Sequence, residues 1–266
     1  MDADAQPGVE RVSARATARG ATRPAFLTAE WRWLVMLNYE MAPEMLAPFV
    51  PRGTTLDLWQ GRALASVVGF RFLDTRVVHV PIPLHRNFDE VNLRFYVRRE
   101  IPGGEVRRAV VFIRELVPKP LIAWTARALY NEPYRALPMR SETPSAPTEA
   151  PGSIRYAWRR HTTGGQAWEH VAARTVGDAS VPAEDSEGQF ITEHYWGYTR
   201  QRDGSTIEYE VRHPSWRVWQ AGGAELRADV ATLYGPGFVD ALRGPPRSVF
   251  IAEGSPVSVH WPTHLP

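Results

Sequence analysis

The sequence predicts a mainly β protein with a few short helices. Segments in which apolar and polar side chains alternate recur along most of the chain, as expected for strands that rest one face on a core. Short turn signals containing glycine or proline separate these segments, whereas patterns of helical period are few and short. About ten strands arranged in this way are typical of an antiparallel β-barrel or β-sandwich.

Composition narrows the class of function. Of the 266 residues, 44% are hydrophobic and 23% are charged, which is ordinary for a soluble globular protein. The net charge is +2 and Lys119 is the only lysine, so no basic surface for nucleic acid is predicted. The chain has no cysteine for a disulfide or a thiolate metal site, and its eight histidines show no ligand spacing on a helix. We therefore expect neither a metal ion nor another cofactor.

Residues 1–24 are predicted to form a disordered tail, because they are poor in hydrophobic residues and carry scattered charges without a period. This segment lacks the apolar core of a signal peptide, and no run of about 18 apolar residues is available to span a membrane. A cytoplasmic protein without membrane contact is the resulting expectation. Residues 25–266 are predicted to form a single β domain, within which the Pro-rich segment Ser141–Ser153 is a surface loop.

In the first half of the domain, the strand Trp31–Tyr39 is predicted to place both of its tryptophans on one face with Val35, Leu37 and Tyr39. A short helix follows at Met41–Val50 and ends at Pro51, which cannot continue it. Further strands are predicted at Thr55–Trp59, Ala63–Phe72, Phe88–Val97 and Arg107–Leu116. The continuous apolar run within the last of these indicates a strand that is buried on both faces.

The second half opens with a predicted helix at Leu121–Asn131, in which Leu121, Trp124 and Ala128 recur at helical spacing. Two hairpins follow, Ile154–Arg160 with Trp168–Val176 and Phe190–Arg200 with Ser205–Arg212. The second hairpin places His194 inside a strand, as a core histidine. Strands at Trp216–Trp219, Ala224–Thr232 and Ser248–Ile251 and a helical turn at Phe238–Leu242 complete the prediction.

The strand Phe88–Val97 has two faces of opposite chemistry. Its apolar row must pack on a core, and its polar row consists of Glu90, Asn92, Arg94 and Tyr96. A glutamate and an arginine two positions apart can jointly hold a polar ligand, and burial would raise the pKa of the glutamate towards that of a general base. The alternative is a solvated face with an ordinary ion pair. The following helix and the residues after it add Arg127, Tyr130, Tyr134 and Arg135 as candidates.

Five segments resemble the DUF2071 (YqjF-like) family of uncharacterised proteins: WRWLVMLNYEMAPEMLAPFVPRGTTLDLWQGRALASVVGF (31–70), FDEVNLRFYV (88–97), ARALYNEPYRALPM (126–139), FITEHYWGY (190–198) and VRHPSWRVWQA (211–221). Their order and spacing are more distantly similar to acetoacetate decarboxylase. This resemblance implies an acetoacetate-decarboxylase-like antiparallel β-barrel or sandwich with a central cavity for a small oxo acid. It also implies that Glu90 matches an active-site glutamate and that Arg32 matches a substrate-site arginine.

The chain departs from acetoacetate decarboxylase at the catalytic lysine. That family forms a Schiff base with the first lysine of a Pro-Lys-Lys segment, and Tyr134 and Arg135 stand at the two lysine positions here. Neither side chain can form an imine, and Lys119 lies between two prolines at no matching position. A further active-site glutamate of the family corresponds to Ser66. The expected chemistry therefore excludes Schiff-base decarboxylation.

Two classes of function remain open. In the first, the chain binds a small carboxylate or oxo acid and acts as a lyase, hydratase or isomerase, with Glu90 as general acid or base and Tyr134 as hydrogen-bond donor to a carbonyl oxygen. The predicted substrate-binding residues are Arg32, Asn92, Arg94, Arg127 and Arg135. In the second, it is a non-catalytic carrier or sensor, or an interaction barrel without a ligand. Barrels of this kind commonly form homo-oligomers, and that analogy alone makes self-association an expectation.

Overall fold

The computed structural model describes residues 23–81, 83–144, 152–162 and 165–265. The predicted disordered tail thus lies outside the described residues except for Arg23 and Pro24. Part of the predicted loop Ser141–Ser153 lies outside them as well.

Fifteen strands and five short α-helices make up the described part of the chain. The strands are β1 (Ala25–Met41), β2 (Thr55–Leu56), β3 (Ala63–Val77), β4 (Val80–Pro81), β5 (Phe88–Glu100), β6 (Val106–Val117), β7 (Tyr134–Ala136), β8 (Met139–Glu142), β9 (Ser153–Thr162), β10 (Gly165–Ser180), β11 (Trp196–Arg200), β12 (Thr206–Arg212), β13 (Val218–Arg227), β14 (Ser248–His260) and β15 (Thr263–Leu265). The helices are α1 (Pro43–Leu46), α2 (Pro120–Tyr130), α3 (Glu187–Thr192), α4 (Val230–Leu233) and α5 (Val239–Arg243). The predicted mainly β fold with a few short helices is confirmed.

Seven strands close into a ring. Their order is β12, β11, β6, β5, β3, β1 and β14, and the ring closes where Val211 and Arg212 of β12 pair with Val259 and Ser258 of β14. All pairings in the ring are antiparallel except that between β11 and β6. Closure removes the free strand edges that an open sheet would expose.

A second layer covers one side of the ring. Strands β13, β10, β9 and β8 extend the sheet from β14, and their apolar side chains pack on the outer face of β1, β3 and β5. Gly69 of β3 permits this contact, because a Cβ atom there would lie 2.6 Å from Cδ2 of Tyr156 in β9. The Tyr156 hydroxyl donates to the carbonyl oxygen of Trp33 at 2.9 Å. The protein therefore has one core between the layers and another inside the ring.

A bulge in β1 corrects one prediction. Trp33 has a φ of 58°, and the register of β1 on β3 shifts between Arg32 and Val35. The shift turns Trp31 into the ring, where it packs edge-on against Phe70, while Trp33 joins the core between the layers. The tryptophans therefore do not share a face. The expectation was wrong because strict alternation ends at a bulge.

Helices replace parts of two predicted strands. Residues 187–192 form α3, whose N-terminus is capped by Ser186: its Oγ accepts from the backbone N–H of Gln189 at 3.2 Å. His194 consequently lies in the connection between α3 and β11 and not inside a strand. Asp229 caps α4 in the same way and ends β13 early. The predicted helix at Leu121–Asn131 is confirmed as α2, but its Leu121 and Trp124 are 53% and 61% exposed.

Candidate functional site

The polar row of β5 faces the interior of the ring. Glu90, Asn92, Arg94 and Tyr96 are all buried, with exposures between 1% and 9%. Their cross-strand neighbours belong to the apolar cluster inside the ring or to its polar lining, since Glu90 pairs with Phe70 and Arg94 with Ser66. Because the opposite row is buried between the layers, β5 has no solvated face along this stretch. The alternative of a solvated polar face is thus ruled out for these residues.

Glu90 lies at the centre of a hydrogen-bonded group. Its Oε1 accepts from Nδ2 of Asn92 at 3.0 Å, and its Oε2 accepts from the Tyr134 hydroxyl at 3.1 Å. Strand β7 carries Tyr134 and runs parallel to the end of β6, so that Tyr134 lies opposite Glu115. Burial raises the pKa of Glu90 to about 7, against the opposing effects of Asn92, Tyr134 and Arg94. Glu90 is therefore poised to exchange a proton near neutral pH.

Two more carboxyl groups lie in the same polar region, and sequence reasoning missed both. Burial, and then the charges of Glu132 and Glu90, raise the pKa of Glu115 well above its usual value. Burial also raises the pKa of Glu132 to about 7, although Thr199 and Tyr209 donate hydrogen bonds to its carboxylate. Since like charges this close resist ionising together, Glu115 holds its proton most firmly and the group shares protons.

A bulge in the β5–β6 hairpin explains why Glu115 was missed. The register shifts between Leu93 and Arg94, so that Asn92 lies opposite Glu115. Without the shift, Asn92 would lie opposite Arg114, and Glu115 would point to the other face. The alternation pattern of β6 alone therefore assigns the wrong residue to the interior.

Arg94 supplies the positive charge of this interior. Its guanidinium donates from Nη2 to the carbonyl oxygen of Ile191 at 3.4 Å and lies 5.8 Å from the centre of the Tyr96 ring. Its Nε is buried and has no hydrogen-bond partner. Among the residues that the structure describes, no carboxylate lies within ion-pair distance, although other buried arginines such as Arg160 have one. A buried, unpaired guanidinium is suited to bind an anion.

His194 lies beside Arg94 and was dismissed at the sequence level as a core histidine. Its Nε2 is 3.1 Å from Oδ2 of Asp57, which also accepts from Nε of Arg108 at 2.7 Å. The imidazole packs against Tyr96 with ring centres 4.6 Å apart and an angle of 35° between the ring planes. Burial lowers the pKa of His194 to about 4, and the charges of Arg108 and Arg94 contribute to the decrease. The imidazole is therefore neutral at physiological pH.

A chain of hydrogen bonds leads from Tyr96 to the surface. The Tyr96 hydroxyl is 2.6 Å from Ser66 Oγ, which donates to Oδ1 of Asn38 at 2.6 Å. Asn38 donates from Nδ2 to Ser248 Oγ at 3.0 Å, and Ser248 donates to the Glu187 carboxylate at 2.5 Å. Because a carboxylate only accepts, all donors point towards Glu187, and Tyr96 donates to Ser66. Ser66 thus helps to fix Tyr96.

The remaining predicted residues lie elsewhere. Arg32 is opposite Arg71 on β3, donates to Glu30 at 3.0 Å and to the carbonyl oxygen of Gly254 at 3.2 Å, and does not join the Glu90 group. Arg127 on α2 and Arg135 on β7 are exposed. The structure therefore brings together Glu90, Asn92, Arg94 and Tyr134 but not the other three arginines.

An open cavity of about 570 Å³ abuts one end of the ring interior. Ala29 and Val257 line this cavity and also belong to the apolar cluster inside the ring. His213 lines it too and stacks on Trp216 of the same cluster, with ring centres 4.1 Å apart. The residues described as lining this cavity do not include Glu90, Asn92, Arg94 or Tyr134.

Two kinds of feature are absent from the described residues, a metal-binding cluster and a membrane-spanning helix. No group of three or more histidine, aspartate or glutamate side chains among them has the geometry to hold a metal ion. In the same part of the chain, every helix is too short or too polar to cross a membrane.

Comparison with known proteins places this chain in a family. The model of the DUF2071 family, described as an uncharacterized conserved protein, matches residues 28–256. The chain belongs to the DUF2071 family. Another similar protein is the uncharacterized protein YqjF of Bacillus subtilis (strain 168), which is 27% identical over 204 residues, covering 76% of this chain and 78% of YqjF. The descriptions of the DUF2071 family and of YqjF state no activity.

Solved structures agree with the predicted acetoacetate-decarboxylase-like fold. The enduracididine biosynthesis enzyme MppR with HEPES bound has a TM-score of 0.61 and 15% identity, covering 92% of this DUF2071 chain and 88% of MppR. Acetoacetate decarboxylase from Legionella pneumophila has a TM-score of 0.61 and 12% identity, covering 100% and 98%. A further MppR structure is a complex with pyruvate, at a TM-score of 0.60 and 12% identity, covering 96% and 95%. At these identities the likeness establishes the fold alone.

The buried carboxyls of the DUF2071 protein make its stability depend on pH. Glu90 and Glu132 have folded-state pKa values of about 7 against 4.5 for an unfolded chain, so the folded state binds more protons and loses stability as pH rises through this range. His194 makes stability rise with pH, but only below its unfolded pKa of 6.5.

We expect the free energy of unfolding, measured with urea, to fall by about 1 kcal/mol or more between about pH 6.5 and pH 8.5. Glu115→Gln should make the decline shallower, whereas a flat wild-type profile would contradict the raised pKa values.

Proposed function

We propose that the ring interior binds a small oxo acid and transfers a proton at the carbon next to its carbonyl group. This step is common to lyases, hydratases and isomerases that act on oxo acids. The observation that supports it most directly is the buried guanidinium of Arg94, which has no carboxylate partner among the described residues and leaves Nε without an acceptor. The cost of burying such a charge is offset when an anion binds to it.

Arg94 is the residue that would bind the carboxylate of the acid. Its planar group offers parallel N–H donors that match the two oxygens of a carboxylate. It lies two residues from Asn92, on the same face of β5, and its charge lowers the pKa of Glu90. A small acid held by Arg94 would therefore extend towards the Glu90 group.

Glu90 and Tyr134 would carry the proton transfer. The Glu90 carboxylate takes the proton from the carbon next to the carbonyl. The Tyr134 hydroxyl, which donates to Glu90 in the free protein, turns to donate its one hydrogen bond to the oxygen on which negative charge develops. Glu115 lies opposite Tyr134 in the pairing of β6 with β7, and burial raises its pKa so that it retains its proton. No imine is involved, since the only lysine, Lys119, precedes α2 and lies outside this group of residues. The pyruvate complex of MppR supports the choice of an oxo acid as a ligand class for the fold.

Binding of pyruvate and acetoacetate by calorimetry tests the proposal. We expect Arg94→Ala to weaken binding by about 30-fold or more, because truncation removes a desolvated charge pair worth roughly 2–5 kcal/mol. Arg135→Ala is the matched control, since Arg135 is exposed and should leave the affinity unchanged. Arg94→Lys keeps the charge but removes the planar fork, and it separates loss of binding from loss of folding.

Three outcomes are informative. If the wild type binds neither acid, or if Arg94→Ala and Arg94→Lys bind like the wild type, the proposed site is wrong. If the acid binds through Arg94 but no proton is exchanged, the protein is a carrier or sensor and not a catalyst.

A further inference from the structure

Among the residues that the structure describes, three buried side-chain atoms inside the ring that can accept a hydrogen bond have no hydrogen-bond partner. They are Oδ1 of Asn92, Oε2 of Glu115 and Nδ1 of His194. An unsatisfied buried polar atom typically costs about 1–3 kcal/mol, so such atoms in a native protein call for an explanation. Asn92 and Glu115 lie within the group proposed to transfer the proton. The His194 atom lies outside that group and has no role in the proposed reaction.

The hydrogen bond from His194 to Asp57 determines whether the free nitrogen, Nδ1, donates or accepts a hydrogen bond. The Asp57 carboxylate can only accept, so Nε2 of His194 carries the proton and donates to it. Arg108 also donates to Asp57 and keeps it ionised, since these hydrogen bonds lower the pKa of Asp57. In a neutral imidazole with the proton on Nε2, Nδ1 is an acceptor only. Its missing partner must therefore be a hydrogen-bond donor.

His194 is next to the residue that would hold the carboxylate. Its ring packs against Tyr96, and the Arg94 guanidinium lies over the ring of the same Tyr96. Arg94 also donates to the carbonyl oxygen of Ile191, three residues before His194. The side chain of His194 is only 2% exposed, so bulk solvent does not supply the donor.

The charge around His194 selects between two kinds of donor. Burial is the main reason that the pKa of His194 is lowered, and the charges of Arg108 and Arg94 lower it further against the opposing effect of Asp57, so a positively charged group is disfavoured there. An ammonium group would meet this repulsion, whereas a hydroxyl group would not. The surroundings therefore favour a neutral hydroxyl as the donor.

We propose that the natural ligand is a hydroxylated acid whose carboxylate binds Arg94 and whose hydroxyl group donates to Nδ1 of His194. This assignment rests on the proposed function and narrows its substrate class from oxo acids in general to those that carry a hydroxyl group or its enol equivalent. Asp57 is then a positioning residue, because it holds the imidazole in the tautomer that presents Nδ1 as an acceptor.

Paired ligands that differ by one hydroxyl group test this inference. Calorimetric titration compares hydroxypyruvate with pyruvate, and 4-hydroxy-2-oxobutanoate with 2-oxobutanoate. We expect at least one hydroxylated acid to bind the wild type about 3–10-fold more tightly than its partner, as one neutral hydrogen bond provides. His194→Phe should abolish this preference while the acids without the hydroxyl group still bind. His194→Asn, whose amide oxygen lies near the position of Nδ1, should restore part of it.

His161→Asn is the matched control, because His161 is exposed on β9. A preference for the hydroxylated acid that persists in His194→Phe, or wild-type affinities that are equal within each pair, would overturn the assignment while leaving the Arg94 site in place. If the wild type binds none of the four acids, the proposed function itself fails, and this inference fails with it.

Discussion

Glu90→Gln should abolish hydrogen–deuterium exchange at the methyl group of pyruvate. In heavy water, the Glu90 carboxylate would take a proton from the methyl carbon, leave an enolate, and return a deuteron that Glu90 has exchanged with solvent. The amide of glutamine occupies the same space but cannot accept the proton. A positioned general acid or base typically increases the rate of a reaction by roughly 10²–10⁴-fold. We expect Glu90→Gln to lower the exchange rate, measured by proton NMR, by a factor of that size.

The pKa of Glu90, raised to about 7 by burial, sets the pH dependence of this exchange. The rate should rise with pH as Glu90 ionises and level off once the carboxylate is formed. Glu142→Gln on β8 is the control, because Glu142 is exposed and lies in the second layer, outside the ring interior. Exchange that survives Glu90→Gln with pyruvate still bound would remove Glu90 as the base. Exchange that is missing in the wild type would favour a carrier.

The second large effect is expected for Gly254→Ala. Gly254 lies in β14 with a φ of +79°, opposite Arg32, where a side chain is strained in any case. A Cβ atom there would lie 2.0 Å from the carbonyl oxygen of Trp31, which is backbone and cannot swing aside. We expect a loss of about 3 kcal/mol or more in the free energy of unfolding, measured by urea denaturation, or failure to fold.

Gly222→Ala in β13 is the matched control for this substitution. A Cβ atom at Gly222 would lie 3.5 Å from Cγ2 of Val176, an ordinary contact, and its φ is outside the left-handed region. Its effect should remain within about 1 kcal/mol. A Gly254→Ala protein as stable as the wild type would show that the strands between β1 and β14 can separate locally without cost.

The sequence was sufficient to predict which side chains of β5, the strand that carries most of the candidate site, share a face. Alternation along β5 assigned Glu90, Asn92, Arg94 and Tyr96 to one face, and the structure places all four inside the ring. This succeeded because a regular strand keeps a period of two residues. The resemblance to acetoacetate decarboxylase made Tyr134 a candidate, because it stands at a catalytic lysine position, but only the fold shows its contact with Glu90.

Local pattern failed where pairing between distant segments decides which way a side chain points. The bulge beside Arg94 brings Glu115 inside, and the bulge at Trp33 reverses the side of Trp31. A bulge depends on the partner strand, and nothing in the alternation marks it in advance. His194 was undervalued for a related reason, since its partner Asp57 lies 137 residues away in sequence.

The positions of the predicted arginines show a different limit of predicting a binding site from sequence. Arg32, Arg127 and Arg135 were chosen because guanidinium groups bind carboxylates, which holds for every arginine in the chain. Burial without an acidic partner is the property that distinguishes Arg94, and burial depends on the closed ring and not on local sequence.

Closure of the ring between its first and last long strands has a consequence for biosynthesis. β1 pairs along one edge with β3, which follows soon after it, but its other edge pairs with β14, which begins roughly 200 residues later. At a translation rate of about 5–20 residues per second, this partner leaves the ribosome some 10–40 s after β1. Throughout that interval the nascent chain carries a long, apolar and unpaired strand edge, which is the kind of surface that invites aggregation. We therefore expect the nascent chain to need chaperone protection at this edge until β14 has left the ribosome.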